Sequence, residues 1–187
     1  MSRSYAFPAF ILLASLALLG AAPPQGLPRC VHSPFAGITQ TLDDGTIVGE
    51  PDAGDWGCAG GASPHDAIRV TPGRGAARYS ASDVPVPPPT VLCLEPAAPN
   101  PAETATRLQF ALPVGAHVTL IVYGRQQGHG PRETFVARTL MDSELAPGFF
   151  TVVWDLKDES GLRVEPGVYR AVLAAGDDAL CGDVEVR

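Results

Sequence analysis

The sequence predicts an all-β protein: an immunoglobulin-like antiparallel β-sandwich of about seven strands, preceded by a small, irregular, β-rich N-terminal module. Three features of the chain after residue 90 support this fold class. Apolar and polar residues alternate with the period of two that a half-buried strand requires. The alternating segments recur at intervals of about 8–15 residues, with Gly- and Pro-containing turns between them. No segment there has the 3.6-residue period of a helix.

The predicted strands can be taken in order along the chain. A first strand is expected near Cys93. The clearest is 106–112, where Leu108, Phe110 and Leu112 fall on one face and polar residues on the other. The remaining predicted strands cover residues 118–123, 134–140, 149–156, 168–174 and 183–187.

Residues 1–22 are predicted to be a secretory signal peptide. Arg3 precedes an apolar run, residues 9–22, that ends in small residues. The run is short for a membrane span, which needs about 20 residues. Pro23 follows the expected cleavage position and disfavours cleavage there, so an uncleaved anchor remains the alternative. The mature chain is expected to be exported, to the periplasm, the cell surface or the medium.

The charge of the chain excludes one class of partner. The formal net charge is −7, from 13 basic and 20 acidic residues. Loss of the signal removes Arg3 and no acid, which gives 12 − 20 = −8. An acidic chain repels phosphate backbones, so nucleic acid is not expected as a partner. No second long apolar run occurs, so no membrane span is expected after signal cleavage.

Residues 23–80 are predicted to form the small N-terminal module, and residues 81–90 a Pro-rich linker to the sandwich at 91–187. In the module, Asp43-Asp44-Gly45 separates two β-forming segments, 35–42 and 46–48, and predicts a hairpin. A second, weaker pair of segments, 67–71 and 76–80, flanks Pro72-Gly73.

The four cysteines predict two disulfides, as is usual for an even count in an exported chain. Three connectivities exist, and we favour Cys30–Cys58, which closes the N-terminal module, with Cys93–Cys181, which ties the first sandwich strand to the last. A zinc site is not expected, because the cysteines lack the close spacing of zinc ligands.

Several motifs of the C-terminal half occur in a fixed order. They are Pro99-Asn100-Pro101, L-Q-F-A-L-P at 108–113, V-T-L-I-V-Y at 118–123, V-V-W-D at 152–155, S-G-L-R-V at 160–164 and P-G-V-Y at 166–169. In this order they resemble the immunoglobulin-like domain of the flagellar hook-capping (FlgD-like) family. The Pro-Asn-Pro motif is also similar to that of the related C-terminal sorting domains of type IX secretion.

The resemblance implies the sandwich fold and a structural role for its motif residues: Pro99, Asn100, Pro101, Trp154, Asp155, Gly161, Gly167 and Tyr169. It does not imply hook capping, because the chain starts with a signal and lacks the hook-assembly region. Domains of this family are typically non-catalytic modules of secreted and surface proteins.

We therefore expect a secreted or cell-surface, non-enzymatic structural, assembly or binding module whose partner is an envelope or extracellular protein or polymer. The alternative is a type IX-like sorting domain on a minimal cargo.

The most distinctive local cluster of the N-terminal module is Asp52, Asp55 and Trp56. Carboxylates beside an exposed aromatic ring can bind a sugar or Ca²⁺, which gives a carbohydrate-binding module as a second alternative. The competing interpretation is that Trp56 fills the small core beside Cys58.

Neither an enzyme nor a cofactor is predicted. The chain lacks the G-x-S-x-G and H-E-x-x-H motifs, and Ser63, His65 and Asp66 are too close in sequence for a catalytic triad. The acids at 155, 158 and 159 miss the alternation of a calcium loop and are expected to stabilise a turn. Trp154 is expected in the core, on the same face as Phe150 and Val152.

Overall fold

The structure is a computed structural model that describes residues 37–52, 55–61, 88–125 and 134–187. Most of these residues belong to ten short or medium β-strands. In chain order, the strands are β1 (Gln40–Thr41), β2 (Ile47–Val48), β3 (Gly57–Cys58), β4 (Cys93–Leu94), β5 (Thr106–Leu112), β6 (Ala116–Arg125), β7 (Thr134–Leu145), β8 (Gly148–Trp154), β9 (Gly167–Ala175) and β10 (Asp178–Val186).

Two four-stranded antiparallel sheets form the body of the molecule, with the orders β3-β4-β5-β8 and β10-β9-β6-β7. Strands β1 and β2 form a separate two-stranded ribbon. This arrangement confirms the predicted all-β sandwich. Without β3, three strands face four, which is the division expected of an immunoglobulin-like domain, and β3 adds a fourth strand to the smaller sheet.

The predicted strands agree with the observed ones most closely where alternation is clearest. Strand β5 has the predicted bounds, Thr106–Leu112. Strand β10 begins five residues earlier than expected, at Asp178, because a tight turn through Gly176 (φ 60°) returns the chain directly from β9. Strand β7 continues to Leu145 because its polar residues stay paired with β6, for example Ser143 with Val118.

The core lies between the two sheets and contains the side chains that alternation assigned inward. Trp154 is fully buried, packs edge-on against Tyr169 at a centroid distance of 5.4 Å and donates its indole N–H to the carbonyl of Lys157 at 3.0 Å. Phe110 and Phe150 stack across β5 and β8 at 5.0 Å. Trp154 is thus a core residue, as its parity predicted.

The described N-terminal residues contact the sandwich directly. The ribbon β1–β2 confirms the hairpin predicted around Gly45, whose φ is 84°. Strand β3 adds to the sandwich beside β4, and Thr41 exchanges two main-chain hydrogen bonds with Asn100, at 2.8 and 3.2 Å. Some predicted features lie outside the described residues: the signal peptide, Cys30, the segment pair 67–71 and 76–80, and most of the linker. In the part of the chain that is described, no helix is long and apolar enough to cross a membrane.

Candidate functional site

Of the predicted ligand-contact residues, Asp55 and Trp56 lie against β10, the outermost strand of its sheet. Asp52 lies beside them and accepts the N–H of Asp55 on its main-chain carbonyl at 3.2 Å. Trp56 donates its main-chain N–H to the carbonyl of Cys181 at 2.7 Å. Its ring lies on Gly182 so closely that a Cβ there would collide with the ring atoms. Trp56 also packs against the main core and has a left-handed φ of 60°. The ring therefore closes the side of the sandwich and does not form an exposed stacking platform.

Asp55 is buried beside an ion pair. Its carboxylate accepts the main-chain N–H of Asp183 at 3.3 Å. The Asp183 carboxylate in turn accepts two hydrogen bonds from the Arg170 guanidinium, at 2.7 and 2.6 Å. Asp183 is 0% exposed and Arg170 is 4% exposed, so both charges lie away from water. Such a fork-to-fork pair is the arrangement that best compensates buried charges.

The electrostatics of this cluster follow from its burial. Burial, then the nearby charges of Asp183 and Asp52, raises the pKa of Asp55 to about 7. Burial also raises the pKa of Asp183, and the hydrogen bonds and charge of Arg170 oppose that rise. The hydrogen bond to Asp183 raises the pKa of Arg170, which keeps the guanidinium charged.

Asn100, the centre of the Pro-Asn-Pro motif, is fully buried between the N-terminal segment and β10. Its amide nitrogen donates to the carbonyls of Thr39 at 3.0 Å and Asp183 at 2.9 Å. Its amide oxygen accepts the N–H of Glu185 at 2.9 Å. The X-Pro bonds on both sides of it, to Pro99 and Pro101, are cis. Asn100 thus replaces a neighbouring strand for part of β10.

Ala102 continues the same coverage of β10. Its N–H donates to the carbonyl of Glu185 at 2.7 Å, and its carbonyl accepts the N–H of Arg187 at 3.0 Å. We call a strand edge capped where its outward main-chain groups are hydrogen-bonded by other parts of the chain. By this definition the β10 edge is capped from Cys181 to the end of the chain.

The edge of β7, in the same sheet, is capped in its central part. Glu159, in the turn after β8, donates its N–H to the carbonyl of Ala137 at 2.9 Å. The Glu159 carboxylate accepts the N–H of Thr139. The turn itself is stabilised by Asp158, whose Oδ1 accepts the N–H groups of Ser160 and Leu162. These acids stabilise a turn, as expected from their spacing.

The edge of β8 differs from both. Within the described residues β8 pairs with β5 alone, and no main-chain hydrogen bond from another segment reaches its outer edge. Its outward side chains are Phe149, Thr151 and Val153, and the two apolar ones are 42% and 58% exposed. β8 is therefore a seven-residue edge strand with exposed apolar side chains, a combination that proteins usually avoid unless a partner covers it.

An open groove lies beside the Pro-Asn-Pro motif. It is bordered by Thr41, Leu42, Asp43, Asp44, Pro99, Pro101, Glu103 and Thr104. Three of these residues are acidic, and the guanidinium groups of Arg107 and Arg163 donate to the carbonyls of Asp43 and Glu103 beside them. Within the described residues no group of three or more His, Cys, Asp or Glu side chains is arranged to bind a metal ion.

The disulfide pairing differs from the favoured one. Cys58 is bonded to Cys93, its direct neighbour across β3 and β4, so both favoured pairs, Cys30–Cys58 and Cys93–Cys181, are wrong. The reason is that Cys58 lies in a strand of the sandwich and not in a separate core. Cys181 is also disulfide-bonded, to a partner outside the described residues.

The other motif residues lie around the Trp154 end of the sandwich. Tyr169 donates its hydroxyl to the carbonyl of Glu165, four residues upstream, at 2.8 Å, as in the tyrosine corner of immunoglobulin-like folds. Gly161, with a φ of 81°, closes the turn after β8. Asp155 is exposed and accepts the N–H of Lys157 at 3.3 Å. Gly167 is the first residue of β9. None of these residues meets Asp52, Asp55 or Trp56 in one site.

Sequence reasoning did not single out Arg170 and Asp183. The pattern of β9 contained one usable signal, because Arg170 stands between Val168 and Val172 on a single face. A charged residue in an apolar row indicates either an exposed face or a buried partner. Only the three-dimensional register, which pairs Arg170 with Asp183, identifies the partner.

Comparison with known proteins adds little. No family model matches the chain, and no curated protein matches it. Among solved structures, a β-glucosidase from Listeria innocua in complex with gluconolactone is 14% identical, with a TM-score of 0.31 over 80% of this chain. A second structure, of a β-glucosidase from Listeria innocua, is 17% identical, with a TM-score of 0.29. In both cases the chain spans 22% of the length of the enzyme, and likeness this weak supports no statement on activity.

Proposed function

We propose that this protein is an exported, non-enzymatic binding or assembly module that docks an extended segment of another protein on the free edge of β8. The observation that carries the proposal is the difference among the strand edges. The chain caps the edges of β10 and β7 with its own residues, whereas the edge of β8 is uncapped within the described residues.

The chemistry of β8 favours strand addition. An added strand receives its affinity from main-chain hydrogen bonds and its specificity from alternate side chains. On β8 those side chains are Phe149 and Val153, which would supply two apolar contacts separated by Thr151. On the adjacent strand, Arg107 and Gln109 lie opposite Val153 and Thr151 and provide a polar rim. The surface thus has an apolar centre and a polar border, as is usual for interaction sites.

Export is supported by the cysteine chemistry. Cys58 and Cys93 are bonded to each other, Cys181 is bonded to a residue outside the described part, and no described cysteine is free. Disulfides persist in oxidising compartments and are rare in the cytosol. This agrees with the predicted signal peptide at 1–22.

The proposal is tested by site-specific photocrosslinking in the exporting cell. A photoreactive amino acid replaces Phe149 or Val153 in the full chain, and the matched controls carry it at Val114 or Leu162, which are at least as exposed. Adducts of one protein at both β8 positions, absent at the controls, are expected. Equal adducts at all four positions, or none at β8, would refute the docking surface.

A charge substitution separates binding from sorting. Val153→Glu leaves the core intact, because Val153 points outward, and places an acid opposite Arg107. If β8 binds a partner after export, the variant is exported at the normal level but loses the adduct and any retention at the surface. If the variant remains trapped before the final export step, the strand is part of a sorting signal and the alternative function applies.

A further inference from the structure

Residues 55 and 56, directly before β3, form a short segment held between two fixed points; we call it the latch. Upstream, Thr41 is joined to Asn100 by two main-chain hydrogen bonds. Downstream, Cys58 is covalently bonded to Cys93. Because both ends are tied to the sandwich, the latch can leave β10 without unfolding the strands on either side.

Three contacts seat the latch on β10. The N–H of Trp56 donates to the carbonyl of Cys181, the Trp56 ring lies on Gly182, and the Asp55 carboxylate accepts the N–H of Asp183. Of the two latch residues that make these contacts, Asp55 has a titratable side chain and Trp56 does not. The Asp55 carboxylate binds a main-chain N–H in a buried position.

Within the described residues, the charges around Asp55 come from its own segment and from β10, β9 and β6. Asp52 lies on its own segment, Asp183 on β10 and Arg170 on β9, and Arg125 on β6 acts on Asp183. Tyr123 on β6, which is also buried, is the cross-strand partner of Arg170. Arg170 is already bound by both oxygens of Asp183, so it compensates Asp55 only weakly. Ionised Asp55 therefore lies near two other acids in a desolvated position.

Burial near two other acids determines how the stability of the seated latch depends on pH. When the latch is seated, the pKa of Asp55 is raised from 3.8 to about 7. When the latch is released, the carboxyl meets water and returns toward its ordinary value. The contribution of Asp55 to the stability of the seated state is therefore fully present below about pH 4. It is lost as the pH rises toward 7, and above that pH the free-energy difference between the seated and released states is constant.

We propose that the latch is a pH-sensitive device that covers β10 when Asp55 is protonated and opens when Asp55 ionises. Opening uncovers the carbonyl of Cys181, the N–H of Asp183 and the side of the core at Gly182. Asn100 still holds the carbonyl of Asp183 and the N–H of Glu185, so the rest of the β10 edge stays capped.

The experiment uses the full chain labelled with 5-fluorotryptophan. The chain has two tryptophans, Trp56 in the latch and Trp154 in the core, so two fluorine resonances report separately on the two places. The Trp56 resonance is expected to titrate within the window from pH 4 to 7, and the Trp154 resonance to stay constant. The opening equilibrium of the Trp56 amide, from hydrogen exchange corrected for its intrinsic pH dependence, should rise by up to about tenfold per unit between pH 4 and 7.

Two variants test whether the ionisation of Asp55 causes the pH dependence of the Trp56 signals. Asp55→Asn removes the titrating group and should make both Trp56 signals independent of pH. Asp178→Asn, an exposed acid at the start of the same strand, should leave them as in the wild type.

Three results would overturn the proposal: wild-type Trp56 signals that do not change between pH 4 and 8, the same change in Asp55→Asn, or a Trp154 resonance that titrates together with Trp56. If Asp55→Asn fails to fold, the wild-type titration of the two resonances alone decides.

Discussion

Strands β10 and β8 are both outermost strands of the sandwich, and the chain treats them in opposite ways. The outer edge of β10 receives six hydrogen bonds, in which Asp55, Trp56, Asn100 and Ala102 supply the partners. The outer edge of β8 receives none from the described residues and exposes Phe149 and Val153.

The two edges show which groups a chain needs to cap an edge strand against pairing with other chains. Capping β10 takes a buried amide, a buried carboxylate and a buried ion pair, all groups that cost free energy unless they are fully hydrogen-bonded. Exposed edges are a known aggregation hazard, so such devices are expected on any edge that has no partner. The described residues provide no such capping groups for the outer edge of β8, and this supports a partner at that edge.

The largest expected effect tests the capping amide. Asn100→Ala removes two buried hydrogen bonds and one part-buried one, and it leaves main-chain groups of Thr39, Asp183 and Glu185 without this partner. At about 1–3 kcal/mol for each unsatisfied group, we expect a loss of about 5 kcal/mol in the free energy of unfolding. Denaturant unfolding measures it.

The matched control is Gln109→Ala, which removes an amide whose hydrogen bond to Thr151 is exposed. Its cost should stay below about 0.5 kcal/mol. Equal effects of the two substitutions would show that Asn100 does not cap β10.

The ion pair beneath the latch should come next. Arg170→Met leaves the Asp183 carboxylate buried without its guanidinium, and we expect a loss of about 4 kcal/mol. Lys157→Met, which breaks the exposed pair with Asp155, should cost less than about 1 kcal/mol. Urea titrations of the two variants give both values, and a small loss for Arg170→Met would mean that Asp183 is reached by water.

Removal of the Cys58–Cys93 disulfide should have a smaller effect. The bond closes a loop with a sequence separation of 35 residues, and its loss through Cys58→Ala with Cys93→Ala should cost about 3 kcal/mol. Peptide mapping without reduction should recover Cys58 linked to Cys93. It should pair Cys181 with Cys30, the one cysteine outside the described residues. A Cys93–Cys181 peptide would contradict the structure.

The smallest expected effect concerns β8 itself. Phe149→Glu and Val153→Glu change outward side chains, so each should alter the free energy of unfolding by less than about 0.5 kcal/mol. Thermal unfolding of each variant measures this. A large destabilisation would mean that another part of the chain already covers β8, which would remove its role as a free edge.

The sequence contained enough to predict the strands but not the capped edge. Period-two alternation fixed β5 and the inward side of Trp154, and an Asp-Gly turn located the first hairpin, because these depend on local pattern and burial. The partner of Cys58 was not predictable, since β3 is only two residues long and shows no alternation.

The candidate site was partly visible in the sequence. Asp55 and Trp56 were singled out, either as a surface ligand site or, for Trp56, as the core of the N-terminal module, since nothing local shows that they lie against β10. Asp55 and Asp183 are 128 residues apart, so their contact depends on the register of the whole sandwich. The role of Asn100 likewise needs the position of β10, although the resemblance marked the residue as structural.

Amide hydrogen exchange resolved by residue tests the contrast between the two edges most directly. On the full chain at acidic pH, where the latch is seated, the amides of Trp56, Asp183 and Glu185 should be strongly protected. In β8, alternate amides, those that point away from β5, should exchange at nearly the rate of an unstructured peptide. Protection of every β8 amide at the level of Asp183, or free exchange at Asp183 and Glu185, would contradict the account.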